Sequence, residues 1–143
     1  MSRREQALVA LFAALRSGVA HADLKRNSAV PDKIGPGGLI ILRDGDAGEP
    51  EVTLSPPNYA YEHVASIDVL VDKSPGPEAS LHLDNLLGEI GTALAANRTL
   101  GGAVDHVEPA APEIDGIFSE AGASFAAARV PVTLIYTTPS PLG

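Results

Sequence analysis

The chain has no cysteine, which excludes disulfide bonds, thiolate metal sites and a cysteine nucleophile. Aromatics are scarce as well: three Phe and three Tyr, not interleaved with Lys or Arg, offer no platform on which nucleic-acid bases could stack. Positive charge is in short supply. Ten Lys and Arg stand against 18 Asp and Glu, and the net charge of −8 opposes broad binding to a phosphate backbone. The longest apolar run, Ala7 to Leu15, is only nine residues, far below the ~20 that span a bilayer. There is no Gly-x-Ser-x-Gly elbow, no Walker-type phosphate loop, and no Gly-x-Gly-x-x-Gly after a strand. Gly35-Pro36-Gly37-Gly38 is glycine-rich but lacks the lysine and the following helix that phosphate binding needs.

What is present is the composition of one globular domain. At 143 residues, 45% hydrophobic and 20% charged, the chain is long enough for its own core. Ser2 and Glu5 have the spacing of a capping box, and Leu8, Leu11, Phe12, Leu15 and Val19 follow on one 3.6-residue stripe. This predicts an amphipathic helix ending near Gly18 rather than a leader peptide, whose basic start and apolar core the segment superficially resembles. A second stripe, Leu83, Leu86, Leu87, Ile90 and Leu94, predicts another helix, introduced by turn residues from Ser74 to Glu78 and closed by Asn97 and Gly101-Gly102.

Between the helices the period changes to two. Asp23 to Asn27 predicts a short polar edge strand, Pro31 to Gly38 a loop, and Leu39-Ile40-Ile41-Leu42 a strand buried on both faces. The turn residues Asp44 to Pro50 predict a hairpin from that strand into Glu51–Leu54, with Ser55-Pro56-Pro57-Asn58 unable to continue a ladder. From Tyr59 to Asp72 the odd positions are mostly apolar while Glu62, Ser66, Asp68 and Asp72 take the other face. Fourteen extended residues reach about 46 Å, whereas a domain of this length is about 37 Å across. Such a strand is expected to bend, bulge or project, and a projecting edge would offer pairing to a neighbouring subunit. After the second helix come a short strand in Ala103–Glu108, an exposed loop at Pro109–Gly116 and a strand from Ala126 to Thr138. Pro131 marks the last as an edge strand or bulge. The predicted fold is α/β in the α+β sense: a mixed, largely antiparallel sheet with two main helices on one face. Residues 1–138 make one domain and 139–143 a flexible tail.

No catalytic, metal or cofactor site is expected. Asp44 and Asp46 take the first and third positions of a calcium-type loop, but Gly48 and Ser55 stand where further ligands belong, so a polar turn is the better reading. His21, His63, His82 and His106 have no partner at zinc-ligand spacing, and His82 and Asp84 do not share a helix face. Charge is uneven: residues 1–37 carry +3 and 38–143 carry −11, a polarity able to orient self-association.

Asn97-Arg98-Thr99-Leu100-Gly101-Gly102-Ala103-Val104 resembles a motif of the tail terminator proteins of long-tailed phages, the lambda-type minor tail protein U group, in which an Arg-Thr-Leu-Gly-Gly stretch follows a Leu-rich helix. Lys25-Arg26-Asn27, Leu39 to Gly45, and the terminal Tyr136-Thr137-Thr138 match the same layout in order. Asn97 departs from the Asp of many relatives, a change that affects a helix cap. The resemblance implies a prophage-encoded structural protein, not an enzyme, assembled in the host bacterial cytoplasm into the virion. It implies a ring, commonly a hexamer, whose partners are the tail tube protein and the head–tail connector proteins. Neither nucleic-acid sequence recognition nor a membrane enters that role. Candidate subunit or tube contacts are Arg98, Thr99, Gly101 and Gly102, with Arg26, Asn27, Asp44 and Asp46. Arg98 stands out because a guanidinium beside two glycines can grip a carboxylate bidentately; the equal alternative is that Arg98 to Gly102 only connects helix to strand, with Leu100 in the core. The alternatives are a head–tail connector component and a small enzyme using His106, Asp105 or Glu108 beside Arg98.

Overall fold

The structure, a computed structural model, describes the backbone of residues 1–72, 77–120 and 123–143, and the side chains of these except 115–120 and 123–124. The turn expected at Ser74-Pro75-Gly76 lies outside the described residues. Two helices, α1 (Arg3–Gly18) and α2 (Pro77–Ala96), accompany strands β1 (Asp23–Arg26), β2 (Leu39–Asp46), β3 (Glu51–Thr53), β4 (Asn58–Val71), β5 (His106–Pro109), β6 (Glu113–Glu120) and β7 (Ala123–Thr138). The fold is α+β in one domain. A mixed sheet runs in the order β1-β2-β4-β7-β5; among the described residues only the β1–β2 pair is parallel, and both helices pack on one face.

Each helix forms for the reason its stripe suggests. The Ser2 hydroxyl accepts the Glu5 N–H at the start of α1, and Leu8, Leu11, Leu15 and Val19 are buried beside Leu83, Leu86, Ile90 and Leu94 of α2. Proline at the first position of α2 gives up an N–H that has no helical partner there in any case. The helices cover Ile40, Leu42, Ile67, Val69, Val130, Val132 and Leu134 of the sheet. A second, smaller core lies on the other face, where the loop between β1 and β2 lays Ile34 and Val30 over Leu39, Ile41, Leu70, Phe125 and Ala127. This explains the unbroken Leu39–Leu42 run: alternate residues enter different cores, and both cores are buried and apolar.

Strand partners correct the sequence reading in several places. The hairpin expected between Leu39–Leu42 and Glu51–Leu54 does not form. β2 and β3 both pair antiparallel with the same edge of β4, β2 from Leu39 to Asp46 and β3 from Glu51 to Thr53. They are one interrupted lane. Asp44 to Pro50 bulges and interrupts it, and the reversal comes at Leu54–Pro57, where two prolines have no ladder to continue. β5 and β6 likewise lie along one edge of β7, so the expected exposed loop at Pro109–Gly116 becomes a strand from Glu113.

β4 has the predicted length, yet it neither bulges against β7 nor offers a free edge: thirteen pairs run in unbroken register from Tyr59–Thr138 to Val71–Ala126, and β2 and β3 take the opposite side. The bulge is in β2. Nor is β7 an edge strand. The Pro131 carbonyl accepts the Ala110 N–H in the gap between β5 and β6, so its donor-less nitrogen faces a break where no ladder partner is required. The terminal residues turn back over the domain, where Tyr61 Oη donates to the Pro141 carbonyl at 2.8 Å.

Candidate functional site

At the β1 edge, three candidate residues from the sequence come together. Arg26 donates to both oxygens of Glu5 at 2.7 and 2.8 Å and to both oxygens of Asp44 at 2.8 and 3.0 Å. Asn27, at a positive φ of 53°, accepts the Asp44 N–H through its side-chain oxygen. The sequence placed Glu5 in a capping box, but its carboxylate goes instead to Arg26, tying α1 to β1 and β2. Planar forks matched on both sides are the strong form of this contact. Asp46 stays apart, exposed and accepting the Gly48 N–H across a tight turn.

Beneath this group a polar chain crosses the helix-covered face. His63, 1% exposed, meets the Asp44 carbonyl with Nε2 and the Tyr136 hydroxyl with Nδ1, the latter at 2.9 Å. A carbonyl only accepts, so Nε2 carries a proton toward Asp44. Burial pushes the Tyr136 hydroxyl up to about 12, which keeps it a donor. No role for His63 follows from the sequence, though its position among the inward residues of the alternation was the available signal.

The remaining candidates lie at the opposite edge, beside β5. Arg98 exchanges backbone contacts with Val107: the Arg98 carbonyl accepts the Val107 N–H, and Arg98 Nη1 donates to the Val107 carbonyl at 3.2 Å. Nη1 also reaches Glu108, which His106 contacts at 2.9 Å. Leu100 is 4% exposed and anchors the turn in the core, while Thr99, Gly101 and Gly102 are exposed on its outside. Both glycines have positive φ, 71° and 92°, as the reversal from helix to strand requires. Asn97 accepts the Gly101 N–H through its side-chain oxygen, a bond an aspartate would make equally well. The structure thus divides the sequence candidates between two edges of one sheet: Arg26, Asn27 and Asp44 at β1, and Arg98, Thr99, Gly101 and Gly102 at β5.

A third cluster, on the face away from the helices, was missed. Alternation set Asp68 on the face opposite the apolar one, and there it is only 9% exposed, accepting from Arg43 Nε at 2.7 Å and from Arg129 Nε and Nη2 at 2.7 and 3.2 Å. Burial alone would raise its carboxyl pKa, but the hydrogen bonds of Arg129 and Arg43 outweigh that and hold it below the ordinary value. Arg26 likewise lowers Glu5 and Asp44.

All three carboxyls are lowered in the folded state, so their stabilising contribution is complete above the unfolded carboxyl values near pH 4 and lost as pH falls through the folded ones. The melting temperature is therefore expected to be flat above about pH 5 and to fall steeply below about pH 4. Asp68→Asn should flatten part of that fall. A wild-type melting temperature unchanged down to about pH 3 would contradict the assignment.

Among the described residues no group of three or more His, Asp or Glu is placed to hold a metal ion, and no helix is long and apolar enough to cross a membrane. Compared with protein-family models and with curated proteins, the chain matches none of them.

Proposed function

We propose that this chain is a tail terminator of a long-tailed phage, a structural subunit that closes into a ring, a hexamer, on the head-proximal end of the tail tube. The observation that carries the reading is the division of the resembling motifs between opposite sheet edges: Arg26, Asn27 and Asp44 at one, Arg98 to Gly102 at the other. A closed ring needs heterologous contacts, in which two different patches of one subunit meet their complements on its two neighbours. Arg26 is already engaged by Glu5 and Asp44, so that edge presents a rigid acidic-basic knot. Arg98 is 40% exposed and free to exchange Glu108 for a carboxylate on a neighbour. The mechanism is steric: the ring binds the last tube subunits, blocks further addition, and presents a new face to the head connector.

The test is the mass of the protein in solution across concentration and salt, together with its binding to tail tube protein. Rings of defined mass that bind the tube are expected. Monomer at every concentration and salt, with no tube binding, would overturn the reading. Within it, Arg98→Glu is expected to raise the concentration needed for ring formation by roughly tenfold or more while leaving the melting temperature nearly unchanged. Rings that form as readily as in wild type would remove Arg98 from the interface.

A second reading, a small enzyme, rests on the contact of Arg98, Glu108 and His106. Their side chains are 40%, 57% and 45% exposed, so water screens them, and among the described residues no enclosed pocket holds a substrate beside them. A head–tail connector component would use the same fold, and tube binding separates the two virion roles.

A further inference from the structure

The sheet face opposite the helices holds a cleft of about 270 Å³ beneath the β1–β2 loop, lined by Val30, Arg43, Asp68, Leu70, Glu113, Ala127, Ala128 and Arg129. Its charges form a row across four strands, with Arg43 on β2, Asp68 on β4, Arg129 on β7 and Glu113 on β6; Asp68 and Arg129 are directly paired, as are Arg129 and Glu113. The buried Asp68 holds Arg43 by Nε alone. Among the described residues nothing partners the two terminal nitrogens of Arg43, whose side chain is 32% exposed. A guanidinium fixed at Nε by a buried carboxylate keeps its outer fork oriented, and such a fork matches another carboxylate bidentately. Beside it, the partly buried Val30 gives the cleft an apolar wall, with Leu70 and Ala127 of the small apolar core forming its floor.

We propose that this cleft binds a small carboxylate carrying a short apolar tail, its carboxylate on Arg43 and its tail against Val30, Leu70 and Ala127. The volume is at the lower limit for small-molecule sites, which restricts the ligand to a few heavy atoms. Glu113 sets the strength: its charge opposes an incoming anion, so binding is weak in the wild type and improves when that charge is removed. This site is separate from the Arg26 and Arg98 groups and does not depend on the ring reading.

The experiment is an NMR titration of the full chain with isovalerate, with acetate, inorganic phosphate and isopentylamine as comparisons. Isovalerate is expected to shift the resonances of Val30, Leu70 and Ala127 and to bind at least several-fold tighter than acetate or phosphate, while isopentylamine leaves the cleft unchanged. Arg43→Gln should weaken isovalerate binding roughly tenfold. Glu113→Gln, at an exposed position that does not endanger the fold, should strengthen it several-fold. Shifts that avoid the cleft, an equal response to the amine, or no strengthening in Glu113→Gln would each overturn the proposal.

Discussion

Replacing His63 with alanine is expected to destabilise the fold by about 3 kcal/mol, a fall in melting temperature of roughly 10 °C. The ring is 1% exposed and both nitrogens are engaged. Its loss opens a cavity between β4 and β7 and leaves the Tyr136 hydroxyl and the Asp44 carbonyl without the partner each now has. An unpaired buried polar group costs its full desolvation, so the polar loss adds to the packing loss. His63→Gln offers an amide N–H near the position of Nε2 and should recover about 1 kcal/mol through the Asp44 contact. Thermal melts of the three proteins decide this, and an alanine variant within about 1 kcal/mol of wild type would show that the polar chain carries little.

Gly45→Ala is the second large effect expected, about 3 kcal/mol or more. Gly45 sits at φ 65° inside the β2 bulge, between Arg43 and Asp46. A Cβ there would stand 2.0 Å from the Val64 carbonyl oxygen, a backbone atom that cannot swing aside. The left-handed conformation itself costs an alanine about 1–2 kcal/mol, and relieving the clash means pulling β2 from β4. Asp44 is next in the chain, so its side-chain contact with Arg26 and its carbonyl contact with His63 move as well. Hydrogen exchange should show early loss of protection at the β2–β4 pairs nearest Arg43. Combined with His63→Ala, the cost should be less than additive, because both changes break the same Asp44 contact. Full additivity would mean that the bulge does not position Asp44.

How far the site was legible follows from what each pattern encodes. The stripes Leu8–Leu11–Leu15 and Leu83–Leu86–Ile90–Leu94 announce buried helix faces because a 3.6-residue period has one structural cause. Leu39–Leu42 announces two buried faces in the same way. Arg26, Asn27 and Asp44 were candidates from two separate segments, and nothing local in the sequence brings those segments together or carries Glu5 from α1 to the same guanidinium. Asp68 was missed because alternation assigns a residue to a face without saying whether that face is wet. Here Arg43 and Arg129 close over it from the strands on either side.

The sequence by itself determined the two helices, the main strands and the α+β class, since side-chain period and turn chemistry act within a few residues and need no partner. Only the tertiary structure decided which strands are neighbours. It joined β2 and β3 into one lane along β4, gave β7 two short partners with Pro131 at their junction, and set the Arg26 and Arg98 groups on opposite edges. The physical reason is that backbone hydrogen bonds in a sheet are alike for every sequence. The choice of neighbour rests on packing both faces of the whole sheet together, a property that no short segment contains.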